Sequence, residues 1–190
     1  MQTSQLFIKN MVCPRCMKVV RSVLEAQGKA VTDIQLGKAE VEGTLTEDEL
    51  RNIGAALQDE GFLLIDDKKQ QLVAAIKSII VQTVHYTDLD EMRENFSSLL
   101  AGKLQKDYHY LSNLFSEQEG TTIEQYIIQQ KIERVKELLD YNELSLSEIA
   151  FQLGYSSVAH LSAQFKKVTG LTPSQFKQLK DPKRIPLDKL

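Results

Sequence analysis

The two cysteines of this 190-residue chain are the first candidates for chemistry, because they stand three positions apart in the segment MVCPRC, residues 11–16. At the start of a helix, two thiolates with this spacing can converge on one ion, and the helix N-terminus and Arg15 would lower both thiol pKa values. Soft sulfur ligands select Cu(I) and its relatives, and two suffice for near-linear Cu(I), Ag(I) or Hg(II). The segment therefore predicts a soft-metal site formed by Cys13 and Cys16.

Three other uses of this cysteine pair stay open. A closed Zn(II) site needs four ligands, so zinc would require solvent or a second molecule, and a homodimer sharing thiolates is a further partner prediction. The Cys-Pro-x-Cys order of Cys13 to Cys16 also resembles glutaredoxin-like oxidoreductases, which makes a thiol-disulfide sensor an alternative. The strand order after the motif argues against a thioredoxin fold. In the third interpretation, the domain binds nothing and only packs or dimerises.

A second pattern, near the C-terminus, predicts two helices joined by a turn. Ser145 and Glu148 have the spacing of a capping box, which marks the start of the first helix. Gly154 supplies a left-handed residue for the turn, and Ser157 can cap the second helix. The helical spacing predicts that the second helix buries Leu161, Phe165 and Val168.

The other face of that second helix carries short side chains and cations: Ala159, Ser162, Ala163, Lys166 and Lys167. Short side chains let a helix lie deep in a DNA major groove, and lysines can contact the phosphates on either side. An ordinary pair of packed helices would show many of the same features. A repeat favours DNA binding, because a similar segment occurs fifty residues earlier. The matching residues are Leu111, Ser112, Phe115, Gly120, Thr122, Gln125 and Tyr126, paired with Leu161, Ser162, Phe165, Gly170, Thr172, Gln175 and Phe176.

With these two units, residues Gln71 to Lys180 resemble the DNA-binding domain of the AraC/XylS family of transcription regulators, and GYSSVAHLSAQFKKVTGLTPSQF carries the resemblance most specifically. The resemblance implies that the second helix of each unit reads bases. In the first unit Asp107 is predicted to cap this helix. The reading positions there hold His109, Ser112 and Asn113, and Asn can pair bidentately with adenine. In the second unit they hold Ala159, Ser162 and Ala163, which implies contact with thymine methyl groups and a weaker reader.

The segment around the cysteines predicts the element order β-α-β-β-α-β. In this order residues 4–66 resemble the heavy-metal-associated domain of copper chaperones and metal-pumping ATPases, whose Met-x-Cys-x-x-Cys loop matches Met11, Cys13 and Cys16. Two departures from that family are Asn10, where a Gly is usual, and Pro14, which is tolerable at a first helical position. The resemblance implies a ferredoxin-like fold with metal bound at the loop.

Composition and charge restrict the class of protein. The apolar fraction is 42%, enough for packed cores, and the net charge is -3. Divided along the chain, the charge is -4 over 1–67, -1 over 68–119 and +2 over 120–190, so the small positive balance accompanies the second helix pair.

The sequence lacks an apolar run of the ~20 residues that a bilayer requires, and lacks a signal peptide, so we predict a cytoplasmic protein without a membrane partner. Without a phosphate-binding loop or a nucleophile with a paired acid and base, we predict a protein that is not an enzyme.

The patterns together predict an α+β chain with a ferredoxin-like β-α-β-β-α-β domain at 1–67 and an all-α domain at 68–190. The second domain holds two helix-turn-helix units, at about 96–120 and 145–170, bridged by a helix at 123–142. The apolar stripe of this helix is predicted to comprise Ile127, Ile128, Ile132, Val135, Leu138 and Leu139. The predicted function is a sequence-specific transcription regulator that binds double-stranded DNA and senses a soft metal ion through Cys13 and Cys16. The alternatives are a thiol-redox-responsive regulator, and a metal chaperone or scavenger whose helical domain binds a protein.

Overall fold

A computed structural model describes residues 2–92, 94–179 and 184–189. The chain divides into two compact units, Met1–Ile79 and Ile80–Leu190. The division falls inside one helix, which starts at Lys68, the residue where the sequence predicts the second domain to begin. Within the described ranges, none of the helices has the length and apolar character needed to cross a membrane.

The N-terminal unit has the predicted order of strands and helices. Its elements are β1 (Thr3–Lys9), α1 (Pro14–Ala26), β2 (Val31–Gln35), β3 (Lys38–Glu42), α2 (Glu47–Asp59), β4 (Leu63–Leu64) and the first part of α3 (Lys68–Tyr86). The four strands form one sheet in the order β2-β3-β1-β4. All three strand pairs are antiparallel. The sheet therefore has β1 in its interior, next to the loop that carries the cysteines.

Alternation along β1 builds the core of this unit. Leu6 and Ile8 point to the buried side of the sheet, as residues two apart on a strand must. They pack with apolar residues of both helices, among which Val20, Leu24, Ile53 and Leu57 are fully buried. Thr46 and Glu49 form a capping box at the start of α2, which satisfies backbone N–H groups that the first turn leaves unpaired. The core thus places α1, and the cysteines at its start, against the sheet.

The C-terminal unit is helical. After the end of α3 come a 3₁₀ turn (Leu89–Glu91), α4 (Phe96–Leu104), α5 (Tyr108–Glu119), α6 (Ile123–Tyr141), α7 (Leu146–Gln152), α8 (Val158–Thr169), α9 (Pro173–Lys177) and a 3₁₀ turn (Leu187–Lys189). The helix pairs α4–α5 and α7–α8 fall within the ranges predicted for the two helix-turn-helix units, and α6 lies between them in sequence. α6 packs against α5, α7, α8 and α9.

The burial of α6 differs from its apolar stripe. Its predicted stripe comprises Ile127, Ile128, Ile132, Val135, Leu138 and Leu139, of which the last four are buried and the first two are only partly covered. In addition, α6 buries the polar residues Gln130, Glu133 and Lys136, which no apolar period identifies. The reason is that α6 has neighbours on several sides, so its burial extends beyond the single stripe of a surface helix.

Candidate nucleic-acid interface and metal site

The second helices of the two pairs, α5 and α8, begin and end alike. The N-cap Asp107 accepts a hydrogen bond from the Tyr110 N–H at 3.1 Å, and the N-cap Ser157 accepts one from the His160 N–H at 3.1 Å. Each helix has 12 residues and ends at a glycine in the left-handed region. Both predicted caps are therefore confirmed, and the fifty-residue sequence repeat corresponds to a repeated local structure.

The inner faces of these helices are also equivalent. Phe115 on α5 and Phe165 on α8 are fully buried, each beside an aromatic ring on the following helix. The ring centroids of Phe115 and Tyr126 lie 5.6 Å apart, and those of Phe165 and Phe176 lie 5.5 Å apart. Tilted aromatic pairs at this separation favour a fixed packing angle. The prediction that Val168 is buried is wrong: it is 44% exposed, in the last turn before Gly170 ends α8.

The turns of both helix pairs contain a left-handed residue, but the residue type differs between them. Gly154 has a φ of 65°, as the sequence predicts for the turn between α7 and α8. A left-handed residue also ends α4, but there it is Gln105, with a φ of 51°. Left-handed backbone is strained for a residue with a Cβ, so sequence reasoning gave no sign of it at Gln105.

The predicted base-reading residues of the first unit lie on the outer side of α5. His109 and Asn113 are exposed, one helical turn apart, and Ser112 is half-buried. The side-chain nitrogens Asn113 Nδ2 and His109 Nε2 are hydrogen-bonded at 3.1 Å. The bond uses one N–H of the amide, so the Asn113 carbonyl oxygen and its second N–H are left to form a donor and acceptor pair.

In the second unit, α8 presents a smaller and more positive surface. Ala159, Ala163, Lys166 and Lys167 are exposed, whereas Ser162 is half-buried. The structure thus brings all of the predicted residues of each unit onto one helix. Methyl groups and a hydroxyl offer little hydrogen bonding, so this helix can contribute shape, apolar contact and charge.

Two side chains that sequence reasoning missed, Tyr155 and Lys131, hold α8 and the turn before it in place. The Tyr155 hydroxyl donates to Gln164 Oε1 at 2.6 Å, and its ring meets the His160 ring edge-on at a centroid distance of 5.3 Å. Lys131 on α6 donates from Nζ to the Leu153 carbonyl at 2.9 Å. Burial raises the pKa of Tyr155 and lowers that of Lys131. For Lys131 the sequence offered one signal, which is that it directly precedes Ile132 of the apolar stripe in the bridging helix.

The cysteine pair lies at the N-terminus of α1. Cys13 is the N-cap, and its sulfur accepts a hydrogen bond from the Cys16 N–H at 3.3 Å. The two sulfur atoms are 2.7 Å apart, both cysteines are free, and both side chains are half-buried. Beneath them Met11 is only 1% exposed and belongs to the core. Both thiols are therefore positioned to bind one ion together.

The prediction that the helix N-terminus and Arg15 lower both thiol pKa values is wrong for Cys16. Burial raises the pKa of the Cys16 thiol, and its hydrogen bond with Cys13 adds to this effect. A backbone hydrogen bond with Val12 acts in the opposite direction without cancelling it. Partial burial against the core, which depends on tertiary packing, thus outweighs the local backbone hydrogen bonds that lower the pKa.

The donor set around these sulfurs is small. Over 2–92, 94–179 and 184–189, no group of three or more Cys, His, Asp or Glu side chains is arranged to hold a metal ion. Two thiols alone fit a soft ion of low coordination number, and do not complete a tetrahedral zinc site within one chain. Asn10 before the loop has a φ of 73°, a left-handed conformation that Asn tolerates, and its amide donates to the Gly61 carbonyl at 3.0 Å. Asn10 thus accommodates the turn where the resembled family has Gly.

Comparison with known proteins adds to this geometry. Residues 100–179 match the family model described as a helix-turn-helix domain. The Msm operon regulatory protein of Streptococcus mutans serotype c is 28% identical over 130 residues, which are 68% of this chain and 46% of that protein. The HTH-type transcriptional activator RhaR of Salmonella arizonae is 39% identical over 69 residues, which are 36% of this chain and 24% of that protein. The chain spans less than half the length of these two curated relatives.

Two solved structures share the fold. The C-terminal domain of AraT, a response regulator from Geobacillus stearothermophilus, superposes with a TM-score of 0.50 at 23% identity, covering 63% of this chain and 91% of that one. A transcriptional regulator of the AraC-type DNA-binding domain-containing proteins, from Chromobacterium violaceum, gives a TM-score of 0.50 at 19% identity, covering 59% and 96%. With the repeated helix pairs, these findings show that residues 100–179 match the helix-turn-helix domains and that the C-terminal unit shares the fold of these two structures.

Proposed function

We propose that this protein regulates transcription by binding double-stranded DNA sequence-specifically, with α5 and α8 as its two recognition helices. The observation that carries the proposal is that both helices bury equivalent aromatic rings and expose four of the six predicted reading residues on the other side: His109, Asn113, Ala159 and Ala163. A rigid helix with one free face is what the major groove accepts. A regulator must reach the chromosome, so the proposal keeps the predicted cytoplasmic location.

The two recognition helices have different tasks in this proposal. Asn113 reads adenine through its amide, with His109 holding one amide N–H. Ala159 and Ala163 on α8 contact thymine methyl groups and fit the shape of the major groove. Lys167 contacts phosphate, which stabilises binding to any sequence. The small positive balance of this region predicts that affinity for random DNA is weak and sensitive to salt.

Selection from random duplexes, followed by affinity measurement, tests DNA recognition. We expect enrichment of a two-part sequence. Asn113→Ala should relax one base position and cost about 1 to 3 kcal/mol on the selected duplex, whereas the control Lys167→Ala should weaken all sequences alike and reduce the salt slope by about 1. Equal losses on selected and random DNA in Asn113→Ala would contradict base reading by Asn113.

For the N-terminal unit we propose binding of a soft metal ion such as Cu(I) by Cys13 and Cys16. The element order β-α-β-β-α-β, the antiparallel sheet and the buried Met11 support the resemblance to ferredoxin-like heavy-metal-associated domains. The direct support is that two free, half-buried cysteines stand together at one helix N-terminus. When bound, the ion would supply a change in charge and in thiol protonation that reports its concentration.

Competition titration with Cu(I) under reducing conditions tests this site. Cys13→Ser and Cys16→Ser should each abolish tight binding, with an unchanged circular dichroism spectrum, because neither thiol belongs to the fully buried core. Lys18→Ala is the matched control, since it removes an exposed cation from the same helix and keeps both sulfurs. Cu(I) affinity that survives in the double cysteine variant would refute the site.

A thiol-redox sensor is the second candidate, favoured by the closeness of the two sulfurs. The raised pKa of Cys16 bears on both candidates alike, since the thiolate is the form that reacts with a disulfide and also the form that binds a metal ion. Measuring DNA affinity for the reduced, oxidised and Cu(I)-loaded protein separates the candidates. Sensing of metal requires that loading change the affinity, typically by ~5- to 150-fold, and that DNA change the metal affinity by the same factor. Metal uptake without any enrichment of DNA would instead support a chaperone or scavenger.

A further inference from the structure

One lysine contacts both helix-turn-helix pairs. Lys131 is half-buried near the middle of α6, and its Nζ donates a hydrogen bond to the Leu153 carbonyl at 2.9 Å. The same Nζ lies 5.3 Å from the centroid of the Tyr155 ring and 6.0 Å from that of the Phe96 ring. Phe96 is the first residue of α4, whereas Leu153 and Tyr155 form the turn between α7 and α8. The ammonium group therefore lies between the start of the first pair and the turn of the second.

On the side of the second pair, the contacts of Lys131 reach the recognition helix. Leu153 is the C-cap of α7, so its carbonyl is among those that the helix leaves without an internal partner, and a cation at a helix C-terminus also complements the macrodipole. Tyr155, the second partner of Lys131, is fixed to α8 through Gln164 and His160. A displacement of the lysine would therefore shift the turn residue Tyr155 and, through it, α8.

On the side of the first pair, Lys131 lies at the limit of a cation–π contact with Phe96. Burial lowers the pKa of Lys131, and the same loss of water strengthens its interactions with the rings and the carbonyl. The aromatic pair Phe115–Tyr126 fixes α5 against α6, and the pair Phe165–Phe176 fixes α8 against α9. Lys131 adds to this packing a polar link between the start of α4 and the turn of the second pair.

We infer that Lys131 is a positioning residue that sets the orientation of α8 relative to the first helix-turn-helix pair, and thereby the spacing of the two DNA half-sites that one chain can occupy. The inference rests on the proposed function, because it concerns simultaneous reading by both recognition helices. Lys131 itself lies behind the reading surface and touches no base.

Spin-label distances test the positioning without DNA. In a Cys13→Ser, Cys16→Ser background, labels at Gln118→Cys on α5 and Val168→Cys on α8 use two exposed positions outside the reading surface. Adding Lys131→Met should shift or broaden the distance distribution. Lys131→Arg should retain it, because a guanidinium can donate to the carbonyl and stack on the rings. An unchanged distribution in Lys131→Met would overturn the inference.

DNA binding gives the second test, with duplexes that carry one selected half-site, both half-sites, or both with five extra base pairs, about half a helical turn. The parent protein should prefer the native spacing. Lys131→Met should retain the affinity for a single half-site within about twofold. It should reduce the ratio of two-site to single-site affinity by at least about fivefold, and Lys131→Arg should restore this ratio. An undiminished spacing preference in Lys131→Met counts against the inference. Failure of the parent protein to bind any duplex refutes the proposed function instead, and the label distances still decide the role of Lys131.

Discussion

Removal of the Glu133 carboxylate should destabilise the C-terminal unit strongly. Glu133 and Lys136 lie one turn apart on α6 and are only 4% and 7% exposed. Glu133 Oε1 accepts from Lys136 Nζ, and Oε2 accepts from the Ile185 N–H at 3.0 Å. The carboxylate therefore neutralises a buried ammonium and also holds the chain near its C-terminus against α6.

The expected loss follows from what Glu133→Ala leaves behind. Breaking a buried ion pair by removing one partner costs about 3 to 5 kcal/mol, because the other charge stays buried without compensation. The Phe176 ring, 5.9 Å from Lys136 Nζ, remains near the ammonium but compensates only in part. The lysine chain can extend toward water, which reduces the penalty. We therefore expect a decrease of about 3 kcal/mol in the free energy of unfolding.

Urea denaturation followed by circular dichroism measures this loss, since the chain has no tryptophan to report unfolding. Asp140→Ala is the matched control: it removes an exposed carboxylate from the same helix and should change the free energy of unfolding by no more than about 0.5 kcal/mol. The double variant Glu133→Leu, Lys136→Met should recover most of the loss, because apolar replacement of a buried pair is often neutral or stabilising.

Two results would refute this reasoning. If Glu133→Ala lost less than about 1 kcal/mol, the pair would behave like an exposed salt bridge. If the double variant were less stable than Glu133→Ala, the loss would come from packing volume rather than from an unpaired charge. Both comparisons use the same denaturation experiment.

Three further predictions concern the turns and a buried histidine. Gly154→Ala should lower the free energy of unfolding by about 1 to 2 kcal/mol, because a Cβ there would have room, with Leu89 at 3.6 Å, but an unfavourable φ of 65°. In the equivalent turn, Gln105→Gly should raise it by up to about 1 kcal/mol, by removing the strain at a φ of 51°. Burial lowers the pKa of His85 below its ordinary 6.5, so the unfolded chain takes up that proton first, and stability should fall as the pH drops below about 6.5. His85→Gln should flatten this dependence in denaturation curves measured between about pH 7 and 5, and an unchanged slope would contradict the assignment.

Local signals determined much of the C-terminal unit. The caps Asp107 and Ser157 and the turn residue Gly154 were predicted from the sequence, since each acts on backbone groups within a few residues. The fifty-residue repeat then identified the first helix pair, because equivalent helices need equivalent buried positions such as Phe115 and Phe165. The reading residues followed from the same repeat together with the family resemblance.

The sequence also determined the order of elements in the N-terminal unit. Short apolar runs, helix caps and helix-ending glycines are local properties, and they sufficed to place the cysteine loop between β1 and α1. The sequence did not determine the chemistry of that loop. Cys16 lies partly against the core, and this burial raises its thiol pKa although backbone hydrogen bonds act the other way.

Only the tertiary structure decided which polar side chains are buried. Glu133 and Lys136 carry no local mark that separates them from Asp140 on the same helix, yet the first two are buried and the third is exposed. Lys131 likewise resembles any solvated lysine until α6 comes to lie beside Phe96 and Tyr155. Secondary structure and caps depend on neighbours in sequence, whereas desolvation and charge pairing depend on elements brought together from distant positions.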